Sequence, residues 1–241
     1  MYWWKCWRDA RLAVAIFLVP TVIEFWLLVK AAVQGATSVD GNALVFGWAA
    51  LVVLGVTMPL VAWMMGDYGV GQALGADEGA FLLTRPRARR FLLWSDAGFA
   101  LGLLALMGVV NLMNVWICSL LPYLHVPMVP VSFGARFLLS GFLLVGLIYS
   151  VTYLCSIVMP RHGRMLSVLV LVTYAFLHHK SHAWGGITSY LFSTWWYLPY
   201  FNPRSGVVKP HLWLHLGARA AAIVVLLLIA QMVLERREVR A

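Results

Sequence analysis

The chain has 241 residues, of which 62% are hydrophobic and 11% charged, against roughly 45–50% and about 25% in an ordinary soluble domain. That composition excludes a water-soluble globular protein and leaves no stretch for a soluble catalytic domain. Lys and Arg number 18 against nine Asp and Glu, but the cations sit in short clusters at the ends of apolar runs. This pattern sets orientation in a membrane and argues against nucleic acid as a partner.

The first eleven residues put Trp3, Trp4 and Trp7 beside Lys5 and Arg8, which predicts a short interfacial helix in the headgroup layer. Lys5, Arg8 and Arg11 also resemble the start of a signal peptide, but the apolar run behind them is too long for an ordinary h-region. It is read as an uncleaved first helix. Apolar runs near the length of a crossing, about 20 residues, predict six transmembrane helices at about 12–33, 44–65, 97–121, 135–159, 165–183 and 212–234. The fold class is an all-α membrane protein, with residues 1–241 forming one transmembrane domain.

With the N-terminus inside, only Lys30, Arg136, Lys180, Arg204, Lys209 and Arg219 of the 18 cations fall on outer segments. The bias favours both termini in the cytoplasm. Cys6, Cys118 and Cys155 are too few and too scattered for a disulfide framework. The charged run 235–240 ends the last span as a stop signal.

The fifth span is short. Only thirteen residues separate Arg164 from His178, His179 and Lys180, so either the polar triplet enters the outer half of the membrane or the helix breaks there. The following outer segment, 184–211, is strongly aromatic and broken by Gly185, Gly186 and Pro199. It reads as short re-entrant or interfacial helices, the alternative being an aromatic ligand platform.

Three of the polar residues inside predicted spans are functional candidates. Glu24 lies midway along the first, where an ionised acid is costly and faces a partner, a cavity or another subunit. Asn111 and Asn114 share a face of the third and either line a route or hold helices together. Gly98 with Gly102, and Gly217 with Ala221, have the small-xxx-small spacing that permits close helix approach. His178, His179 and His182 form a candidate outer rim. The i,i+4 spacing of His178 and His182 would suit a metal, but no third ligand is evident and Lys180 opposes a cation, so no metal is expected. With His125, His211 and His215 they raise a haem-handling alternative resembling the tryptophan-rich membrane proteins of cytochrome maturation, whose Trp-x-Trp-Asp run is absent here.

The least membrane-like stretch is the inner connection 66–96. Its glycines Gly69, Gly71 and Gly75 are spaced one residue too long for a dinucleotide fingerprint, and the P-loop lysine is missing, so nucleotide binding on this chain is rejected. Asp77 and Glu78 ahead of Phe81, Leu82 and Leu83 favour a short helix with an acidic start. Pro86 disfavours helical geometry at Arg85 and closes it. The alternative is a plain basic inner loop.

The run Glu78-Gly79-Ala80-Phe81-Leu82-Leu83-Thr84-Arg85-Pro86-Arg87-Ala88-Arg89-Arg90 resembles the inner loop of type-2 ABC export permeases, with Ala80 where threonine is usual. The resemblance implies that the loop between the second and third spans carries a coupling helix. Asp77, Glu78, Gly79, Phe81, Leu82, Leu83, Thr84, Pro86, Arg87, Arg89 and Arg90 would then dock a separate ATP-binding subunit. It further implies a second permease subunit, two ATPase subunits that hold ATP and Mg, no cofactor or catalysis on this chain, and a bacterial inner-membrane location. The cargo would be hydrophobic, lipid-linked, drug-like or peptide. The rival reading is a proton-coupled secondary transporter using Glu24.

Overall fold

The computed structural model describes residues 2–33, 57–75, 86–120, 131–180 and 212–236. These form seven helices: α1 (Tyr2–Val33), α2 (Met58–Tyr68), α3 (Val70–Gly75), α4 (Pro86–Leu120), α5 (Val131–Val158), α6 (Gly163–Lys180) and α7 (Leu212–Arg236). No strand occurs among the described residues. Three helical stretches, Arg89–Asn114, Leu138–Val158 and Trp213–Arg236, are long and apolar enough to cross a membrane. Ala10–Ile23 and Gly163–Thr173 are shorter apolar stretches. The chain is therefore a helical membrane protein.

Two boundaries differ from those expected. The interfacial helix over 1–11 and the span from 12 are one continuous helix, with Pro20 inside it. The described parts of the inner connection, 66–75 and 86–96, are helical apart from the turn at Gly69. Pro86 begins α4, which runs unbroken to Leu120, because a proline in the first turn sacrifices an N–H that has no intrahelical acceptor anyway; the short helix expected before it lies outside the described residues. The predicted third span thus starts eleven residues before its apolar run. At the short fifth span, α6 stays helical through His178 and His179 to Lys180.

α5 is the centre of the bundle. Of its most apolar stretch 72% is buried, against 39% for α4 and 28% for α7. The run from Leu143 to Ser150 is buried all round, as expected of a helix packed on every side. Helix packing between apolar surfaces in lipid gains little from the hydrophobic effect and depends on close approach. Small residues provide it. A Cβ on Gly66 of α2 would stand 2.8 Å from the Thr152 Cβ and the Tyr149 carbonyl oxygen, and one on Gly163 of α6 would stand 2.6 Å from the Ser156 Cα.

The hydroxyls along α5 are satisfied locally. Ser150 donates to the Gly146 carbonyl (2.8 Å) and Thr152 to that of Ile148 (2.9 Å), so neither leaves a donor bare in an apolar interior. Ser156 Oγ also reaches the Gly66 carbonyl across the α2–α5 contact at 3.1 Å.

One end of the bundle gathers the start of α1, the end of α2, the start of α4, the turn between α5 and α6, and the end of α7. Cross-helix contacts of Cys6 with Asp96, Asp67 with Arg164, and Arg90 with Glu235 fix this arrangement. The first and last described helices therefore begin and finish on the same side. We call it the basic end.

Gly163→Val is expected to lower stability by about 1–3 kcal/mol, the usual range for overpacking. Thermal unfolding in detergent checks this, with Gly98→Val as a control because a Cβ at Gly98 meets nothing within 4 Å.

Candidate functional site

The basic end is built around the Asp96 carboxylate on α4. Its Oδ2 accepts from the Val70 backbone N–H (3.1 Å), and its Oδ1 accepts from the Cys6 thiol (3.7 Å). One carboxylate thus joins α1, α3 and α4. It caps the first turn of α3, whose leading N–H groups have no intrahelical acceptor. Gly69 permits the approach, since a Cβ there would collide with Asp96 Oδ2 and stand 2.8 Å from Tyr153 Cε2. Asp96 itself is only 9% exposed.

A second tie joins α2 to α6. Asp67 pairs with Arg164, whose guanidinium also lies 5.2 Å from the centre of the Tyr68 ring. One turn further along, the Trp63 indole N–H donates to Ser167 Oγ at 2.9 Å. A third tie joins α4 to α7. Arg90 grips Glu235 with two bonds of 2.5 and 3.2 Å, the paired geometry that guanidinium and carboxylate favour. Arg89 reaches the carbonyls of Leu234 (3.5 Å) and Glu235 (3.4 Å), two of the acceptors left open where a helix ends. Trp94 donates to Gln231 (2.9 Å), which in turn donates to Glu235 (2.8 Å).

These ties bracket the segment singled out by sequence. Asp77, Glu78, Gly79, Phe81, Leu82, Leu83 and Thr84 lie outside the described residues. Pro86 and Arg87 take the first turn of α4, with their side chains outside the described set. Arg89 and Arg90, expected to meet a partner subunit, also contact the end of α7, and the Arg90 side chain stays largely exposed beside Glu235. The segment 76–85 leaves α3 and enters α4, two helices that Asp96 holds together.

In the apolar interior the candidates separate. Glu24 falls in α1, with its side chain outside the described set. Asn111 is 1% exposed, and neither its Nδ2 nor that of Asn114 has an acceptor among the described residues. Helix glue was the plainer expectation for this pair, yet no bond from either amide nitrogen to a neighbouring helix is present among those residues. His178 and His179 fall in the last turns of α6, with side chains outside the described set, and His182 lies outside the described residues. No group of three His, Cys, Asp or Glu suited to a metal occurs among the described residues.

Sequence reasoning missed Asp67, Arg164 and Asp96 as organising residues, and it placed Arg219 with the outer cations. Arg219 is fully buried in α7 and donates to Ser140 of α5 at 3.4 Å. One available signal was that no acid occurs between Asp96 and Glu235. The few acids flanking that stretch are therefore the ones that must serve its cations. Comparison with protein-family models, with curated proteins and with solved structures returned no match.

Asp96→Ala leaves the Val70 N–H without its acceptor and is expected to cost about 1–3 kcal/mol, read as faster hydrogen exchange at Val70 and a lower unfolding midpoint. Asn111→Leu removes a buried donor that has no acceptor among the described residues and is expected to leave the midpoint unchanged or raise it. A fall of several degrees would show that Asn111 bridges helices after all.

Proposed function

We propose that the chain is the membrane-embedded subunit of an ATP-driven exporter. Six spans carry it across the bilayer, the basic end faces the cytoplasm, and a separate ATP-binding subunit grips the segment from Asp77 to Arg90. Two lines support the reading. The residues from Glu78 to Arg90 resemble the coupling loop of type-2 ABC export permeases. The observation that carries it is mechanical: the flanking helices α3 and α4 are tied through Asp96 to each other and to α1, and α4 is tied through Arg89 and Arg90 to α7.

A pull on the connecting segment is then distributed to several helices rather than lost in a slack loop. Movement of the basic end opens or closes access from that side. The far end responds because α1, α4 and α7 continue into the apolar layer. ATP and Mg belong to the partner, and energy enters this chain only through the docked segment. A second permease subunit completes the path, along which a hydrophobic, lipid-linked, drug-like or peptide cargo crosses.

Purification of the tagged chain in mild detergent is expected to recover a P-loop ATPase. Phe81→Asp and Glu78→Arg should each lose it by at least tenfold while membrane insertion is retained. Recovery of the chain alone, or normal recovery of the ATPase with both variants, overturns the reading. Transport that follows the proton gradient and falls with Glu24→Gln would instead establish a secondary transporter.

A further inference from the structure

The turn between α5 and α6 is closed tightly. The Met159 N–H donates to the Cys155 carbonyl (2.9 Å), that of His162 to Met159 (3.0 Å), and that of Leu166 to His162 (2.9 Å). Gly163 lies directly against Ser156, so the start of α6 cannot shift without opening that contact. This fixed corner forms one end of an open groove of about 450 Å³, lined by Met159, His162, Met165, Leu166, Leu169 and Val172. The groove is almost wholly apolar, and its rim residues are exposed, Met165 by 76%, Leu169 by 62% and Val172 by 59%.

At the turn end of the groove, Arg161 directly precedes the lining residue His162 in the chain. Arg164 is engaged by Asp67. Arg161 and His162 are exposed on the turn, and no ion pair to either is present among the described residues. The groove runs from the turn to Val172, nine residues of α6 beyond Gly163, or about 14 Å at 1.5 Å per residue. Half of a hydrocarbon core of about 30 Å is nearly the same length. An apolar trough one leaflet deep, with a cation at its headgroup end, has the shape and charge of a site for one acyl chain and an anionic headgroup.

We propose that this groove binds an anionic membrane phospholipid, with one acyl chain lying along Met165, Leu169 and Val172 and the headgroup phosphate accepting from Arg161. The lipid packs against the α5–α6 corner and stabilises the pair. The site is independent of the exporter reading, since it requires only that the chain sit in a bilayer.

The test uses the full chain in nanodiscs of phosphatidylcholine alone and of phosphatidylcholine with phosphatidylglycerol, read by native mass spectrometry of retained lipid and by thermal unfolding. Phosphatidylglycerol is expected to be retained preferentially and to raise the unfolding midpoint. Arg161→Gln should lower retention about fivefold, the effect of one surface cation on anionic-lipid binding. Leu169→Trp fills the trough from an exposed position without changing charge, and should lower retention as well. Arg11→Gln removes an exposed cation outside the groove and should leave retention unchanged. Equal retention of the two lipids, no effect of Leu169→Trp, or an equal loss with Arg11→Gln overturns the proposal. Loss of a dimer rather than of lipid in Leu169→Trp would assign the groove to a second copy of the chain and overturn it too.

Discussion

An apolar helix in a bilayer gains little by exchanging lipid for protein, so α5 is buried only because its neighbours can come close to its backbone. Everything else in the bundle follows from that constraint. Gly66 and Gly163 remove the atoms that would hold α2 and α6 away, and Ser150 and Thr152 turn their hydroxyls back onto their own helix. Only then can the ties at the basic end form, because each needs two helices already at contact distance. Close packing positions the charges, and the charges fix the register.

That division of labour explains the uneven polarity of the bundle. Asp67, Asp96 and Glu235 each serve a helix junction at the basic end. In the interior, buried polarity is carried by serine, threonine and asparagine, by His215 and by the arginine at 219. The basic end is thus the place where helices are linked by directional bonds, while the apolar layer holds them mainly by shape.

The class of protein was legible from composition alone, because 62% hydrophobic residues cannot be reconciled with a soluble core. The helical character of the regions near 97–121, 135–159 and 212–234 was equally legible from their length and apolarity. Boundaries were less so. Pro86 reads as a stop for what precedes it and also opens α4, because proline disfavours helical geometry in the residue before it and suits the first turn of a helix after it. The role of Asp96 was not legible, since its partners Cys6 and Val70 are distant in sequence and carry no motif. The burial of Arg219 was not legible, because a count of loops and spans does not record which face of a helix is turned inward. Glycine spacing indicated close approach at Gly98 and Gly102, where a Cβ would in fact meet nothing, and missed Gly66 and Gly163, where it would collide with α5.

The tie between α4 and α7 also imposes an order on biosynthesis. Arg89 and the Leu234 carbonyl are 145 residues apart, so α4 must enter the membrane and wait while α5 and α6 are made before its basic turn can meet its acceptors. Until α7 emerges, Arg89 and Arg90 lack these acceptors, since all of them lie on the last helix. The clasp between α4 and α7 is therefore the last of the three ties to form.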